Sequence, residues 1–106
     1  MAHQDLEPKE FLAAFNEQKE NAVLLDVRTA AEIADASIEG HIAIDIQQPG
    51  FMEKVAALDK SKTYFVYCRS GNRSGQACRY MATQGFGELY NLKGGMLAWM
   101  ETDFED

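Results

Sequence analysis

Short apolar runs alternate with amphipathic stretches along the whole chain. Residues 22–27, AVLLDV, form a compact apolar run of the kind that fills a buried parallel strand. Residues 63–67, TYFVY, are aromatic and β-branched and give the strongest strand signal. IAIDI (42–46) and ELYNL (88–92) predict two further strands. PKEFLAAFNEQ sets Phe11, Leu12 and Phe15 at helical spacing, with Pro8 at the helix start, where its missing N–H is harmless. TAAEIAD predicts a short helix, and FMEKVAALD a second with Phe51, Val55 and Leu58 on one face. SGQACRYMATQG predicts a helix from near Ser74, stopped at Gly85, and GMLAWMET a last one. Strands and helices in alternation predict an α/β fold, a mostly parallel central sheet with helices on both faces. A single domain over residues 1–106 is expected, with its core at about 6–104.

Composition narrows the function classes. The 106 residues are 46% hydrophobic and 25% charged, enough for one core without disulfide staples. Seventeen acids against ten bases leave a net charge of −7, which argues against nucleic acid and anionic membrane as partners. No run reaches the roughly 18 apolar residues needed to span a bilayer, and the N-terminus lacks a basic start and an apolar h-region. The two cysteines, Cys68 and Cys78, are not in a CxxC pair and make neither a disulfide framework nor a zinc site. A cytoplasmic monomer is expected, with no metal or organic cofactor.

The chemistry concentrates in VYCRSGNRSG, residues 66–75. Cys68 follows the strongest strand directly, and in parallel sheets ligands bind beyond the carboxyl ends of the strands. Gly71 permits the positive φ of a tight loop, and successive loop N–H groups can form an anion-binding nest. The following helix contributes its positive N-terminal end, and Arg69 and Arg73 bring full charges. A thiol there is expected to ionise readily and to act as a nucleophile without a histidine base. Residues 60–87 carry five bases (Lys60, Lys62, Arg69, Arg73, Arg79) and no acid, which predicts a positive mouth on a negative body.

Three stretches resemble the rhodanese family of sulfurtransferases, in particular its small single-domain members. LLDVRTAAE (24–32) resembles the family's first signature, VYCRSGNRS (66–74) its active-site loop, and LYNLKGGMLAW (89–99) its C-terminal strand, glycine pair and helix. The resemblance implies that Cys68 takes sulfane sulfur from thiosulfate or a persulfide donor and passes it to cyanide or a thiol in a ping-pong cycle. Arg69, Ser70, Gly71, Asn72, Arg73 and Ser74 would then bind the substrate, the N–H groups around the sulfur and the arginines on a sulfonate. The implied partners are a small anionic sulfur donor and a thiol or protein sulfur acceptor. An alternative is a sulfur relay or persulfide carrier for a partner protein, with little thiosulfate turnover. A phosphatase or arsenate reductase is the weaker rival. Cysteine phosphatases use C-x5-R, whereas Cys68 to Arg73 is C-x4-R, and Tyr67 stands where tyrosine phosphatases commonly carry histidine.

Other residues receive structural expectations. Asp26, Arg28 and Glu32 match the first signature and predict a hydrogen-bond network at the strand end. Ser74 is expected to cap its helix, with its hydroxyl also available to the thiolate. Cys78 is either a resolving thiol or, as a rigid helix favours, a buried packing residue. Gly40, His41 and Ile42 resemble the family's Gly-His-Ile, but an ungapped count from Asp26 places Ala36, Ser37 and Ile38 at those positions; the ungapped count is preferred, and His41 is then a structural loop histidine. Gly94 and Gly95 predict a turn before the last helix, and Trp99 and Phe86 core positions.

Overall fold

A computed structural model describes residues 3–105. The elements run β1 (Gln4–Leu6), α1 (Pro8–Glu17), a 3-10 turn (Lys19–Asn21), β2 (Ala22–Asp26), α2 (Ala30–Asp35) and β3 (Ile42–Ala43). They continue with α3 (Phe51–Ala56), β4 (Thr63–Tyr67), α4 (Asn72–Thr83), β5 (Leu89–Leu92) and α5 (Gly95–Glu101). The five strands pair in parallel in the order β1-β5-β4-β2-β3, giving the α/β sandwich that the alternating pattern predicts.

Period-two alternation in β4 divides the core between the two faces of the sheet. Tyr64, Val66 and Cys68 join Leu25, Val27, Val55, Cys78 and Met81 in one apolar cluster. Phe65 and Tyr67 join Phe11, Leu24, Leu92 and Met96 in the other. Cys68 is therefore the continuation of a buried strand face, aimed toward α4. On the opposite face Phe65 is fully buried, its ring edge-on to Phe11 and Phe15 at 5.4 Å and stacked on Tyr90 at 4.9 Å.

Three elements differ from the sequence expectation. β1 was not expected. QDL carries no apolar alternation, and what makes it a strand is backbone pairing with Tyr90–Leu92 of β5. The expected strand 42–46 stops at Ala43, although the Ile44 and Ile46 N–H groups still reach the carbonyls of Asp26 and Val27. The helix expected from near Ser74 starts at Asn72. Its cap is Gly71 at φ 97°, and Ser74 is the third helical residue, so the expected Ser74 cap is replaced by a glycine turn. Among the described residues, no helix is long and apolar enough to cross a membrane.

The ring cluster at the sheet centre generates a stability prediction. Phe65→Ala removes a ring in contact with three others and should cost about 3–5 kcal/mol in urea unfolding.

Candidate active site

The loop that follows β4 is tied down from behind by α5. The Met96 N–H donates to the Cys68 carbonyl at 2.8 Å, and the Leu97 N–H to the Arg69 carbonyl at 3.0 Å. A trans peptide points its N–H opposite to its C=O. Fixing the Arg69 carbonyl on α5 therefore turns the Ser70 N–H toward the Cys68 sulfur. This contact needs glycine at position 95, the first residue of α5. A Cβ on Gly95, at φ 60°, would collide with the Arg69 carbonyl.

Within that frame Cys68 Sγ is buried and ringed by donors. The Gly71 N–H donates to Sγ at 3.1 Å, and the Ser74 hydroxyl lies 3.3 Å away. Burial pushes the thiol pKa up. The Ser74 hydroxyl when turned to sulfur, and the N–H groups of Ser74, Gly71 and Ser70, outweigh it and hold Cys68 below the ordinary thiol value. Cys78 shows the contrast. It is buried on α4 without such donors, and burial carries it up to about 12. Its Sγ faces the Tyr90 carbonyl at 3.9 Å, which agrees with a packing role.

The arginines do not act as a pair. Arg69 is exposed, and among the described residues its guanidinium has no hydrogen-bond or ion-pair partner. Arg73 is instead clamped to Glu32 by two bonds of 2.8 Å, a bidentate pair that ties α4 to α2. Its expected role on a substrate anion would require breaking that pair. The wider positive mouth is also corrected. Lys60 and Lys62 precede β4 at the end of the strand opposite Cys68, and Lys60 lies over the Phe86 ring at 5.2 Å. Arg69 is thus the unpaired cation of the loop, and Asn72 exposes its side chain as the first helical residue.

The remaining expected residues take structural places. Asp26 and Arg28 form a buried pair at 2.8 Å, and Arg28 also donates to the Ala36 carbonyl at 2.7 Å, so this network holds the turn after β2. Glu32 caps α2 through Thr29 as well as holding Arg73. His41 Nδ1 bonds the Ile38 carbonyl at 2.8 Å within its loop. Two residues behind the sulfur were not anticipated. Asn91 on β5 touches Ser74 at 2.5 Å, the Gly71 carbonyl at 3.1 Å and Asp5 on β1 at 3.0 Å. A polar residue inside the otherwise apolar LYNL was the available signal for Asn91; Asp5 had none.

The family model of the rhodanese-like domain matches residues 7–102, nearly the whole chain and every element of the loop frame. The chain belongs to the rhodanese-like domain family. It is 40% identical over 80 residues to a sulfurtransferase of Allochromatium vinosum, covering 76% of this chain and 73% of that protein. It is 42% identical over 83 residues to the putative sulfurtransferase YtwF of Bacillus subtilis, covering 78% of each. Among solved structures, a rhodanese-related protein of Thermoplasma volcanium superposes with a TM-score of 0.76 at 29% identity, over 93% of this chain and 92% of that one. Within this rhodanese-like domain the Glu32–Arg73 clamp has a pH signature. Arg73 holds the Glu32 pKa down to about 2 from an ordinary value near 4.5, so its stabilisation is complete above pH 4.5 and is lost as pH falls toward 2. Calorimetry should show the melting temperature falling through that window, and Glu32→Gln should flatten the fall.

Proposed function

We propose that the chain is a sulfurtransferase in which Cys68 carries sulfane sulfur as a persulfide. The observation that supports this best is the buried sulfur that accepts the Gly71 N–H at 3.1 Å inside the short C-x4-R loop. The Cys68 thiolate attacks the outer sulfur of thiosulfate or a persulfide donor. A sulfur–sulfur bond forms to Sγ, and the donor's own bond to that sulfur breaks, its electron pair leaving with sulfite or a thiolate. The outer sulfur then bears the negative charge, which the N–H groups of Ser70, Gly71 and Ser74 stabilise as oxyanion donors do. Cyanide or an acceptor thiolate next attacks the outer sulfur and returns the electron pair to Sγ, with no net oxidant required. Arg69, unpaired at the rim, meets the anionic end of the donor.

Sγ lies below the loop surface, which favours a donor with one protruding sulfur over a tetrahedral phosphate. The short loop supports the same choice against a phosphatase or arsenate reductase. A second reading, a relay that hands its persulfide to a partner protein, is favoured by exposed Leu97 and Met100 on α5, whose first turn holds the loop.

Intact-mass measurement after thiosulfate treatment without reductant is expected to show one added sulfur on the wild type and on Cys78→Ala, and none on Cys68→Ser. No gain on the wild type with thiosulfate or with a low-molecular-weight persulfide would contradict the proposal. A gain accompanied by poor transfer to cyanide would favour the relay.

A further inference from the structure

Cys68 Sγ is backed by a file of polar side chains that runs out to the edge of the sheet. Ser74 Oγ lies 3.3 Å from Sγ, Asn91 Oδ1 2.5 Å from Ser74 Oγ, and Asp5 Oδ1 3.0 Å from Asn91 Nδ2. Ser74 and Asn91 are buried, while the Asp5 side chain at the sheet edge is 55% exposed.

The donor and acceptor inventory places the hydrogens in this file. Asn91 Nδ2 faces the Asp5 carboxylate and the Gly71 carbonyl, and both can only accept. The amide nitrogen must therefore be on that side and the amide oxygen on the side of Ser74. That oxygen also only accepts, so the Ser74 hydroxyl donates to it. A hydroxyl has a single hydrogen. With that hydrogen on Asn91, Ser74 turns a lone pair toward Sγ, which suits a thiol S–H and opposes a thiolate.

We propose that Asn91, oriented by Asp5, is a positioning residue that holds the Ser74 hydroxyl hydrogen and yields it to Sγ only when the sulfur is an anion. This rests on Cys68 as the sulfur carrier. In the free thiolate the hydroxyl rotates toward Sγ. Once the persulfide forms, the charge moves to the outer sulfur and the hydrogen returns to Asn91. No covalent bond changes in either rotation. Competition from Asn91 leaves the thiolate less stabilised, and hence more reactive, than Ser74 alone would make it. The Asp5 charge polarises the Asn91 amide and strengthens its oxygen as an acceptor. The other titratable or charged groups around this file are His3, whose Nε2 lies 3.1 Å from the same Asp5 Oδ1, Arg73, which is clamped to Glu32 and also feels Asp45, Cys78 and Arg79 on α4, and Arg69 at the rim.

The test is the pH dependence of Cys68 alkylation by a small haloacetamide in the full chain, read at the Cys68 peptide. Asn91→Ala is expected to lower the apparent Cys68 pKa by about one unit, a tenfold gain in thiolate fraction at a given pH below it. In a Ser74→Ala background the same substitution should have almost no effect. A loosened loop would instead carry the Gly71 N–H off the sulfur and raise the pKa. A rise, no change, or an equal fall in both backgrounds would overturn the proposal. Asp5→Asn, at a half-exposed edge position that spares the core, is the second variant. It should lower the pKa by less, and more with Ser74 present than without; equal falls would make Asp5 a bare charge and overturn its part. A wild type that gains no sulfur at Cys68 would strike the sulfur-transfer reading itself. A wild type that gains it normally, with no response to Asn91→Ala, would strike only the role of Asn91.

Discussion

Two backbone hydrogen bonds, from the first turn of α5 to the carbonyls of Cys68 and Arg69, are the constraint on which the loop depends. They occupy the carbonyls, so the remaining peptide edges present N–H groups to the sulfur. The approach is close enough that only glycine fits at position 95. Gly71 completes the turn at a φ of 97°, where a side chain would be strained and would crowd the backbone of Leu92 and Gly94 at 3.2 Å. The Gly94–Gly95 pair at the start of α5 and the glycine in the loop are thus parts of one contact, although more than twenty residues separate them in sequence.

This arrangement changes where the electrostatics of the site originate. A basic loop on an acidic chain suggests that arginines lower the thiol pKa. In the structure the buried or clamped arginines have carboxylate partners, Arg28 with Asp26 and Arg73 with Glu32, and they brace the turns that flank the loop. The groups that chiefly offset the burial of Cys68 are hydrogen bonds from Ser74, Gly71 and Ser70. The N–H dipoles are fixed by the fold and cost little reorganisation when charge appears, whereas the Ser74 hydroxyl must turn toward the sulfur. Arg69 is exposed at the rim, with no partner among the described residues.

Much of the fold was legible because the core obeys simple periods. β4 alternates its side chains between two clusters, and this register alone aims Cys68 at the α4 face. Pro8 opens α1 and Gly85 follows the end of α4, as local signals predict. β1 was not legible, since its three residues become a strand through pairing with β5 rather than through any pattern of their own. The same reason hides Asp5, which gains its contact with Asn91 only once that pairing forms. The partner of Arg73 was hidden too, because Glu32 lies 41 residues away and local charge counting sees no acid near the loop. Local chemistry identified the loop; its bracing is a tertiary property.

The central claim is that hydrogen bonds from the Ser74 hydroxyl and the loop N–H groups, rather than arginine charge, lower the Cys68 thiol pKa. Its most direct test is the apparent pKa of Cys68, from the pH dependence of alkylation, in the wild type and in Arg69→Ala. A value below that of an ordinary cysteine is expected in both proteins, with a difference of no more than a few tenths of a unit. An ordinary or raised value in the wild type, or a rise of about one unit or more on loss of Arg69, would contradict it.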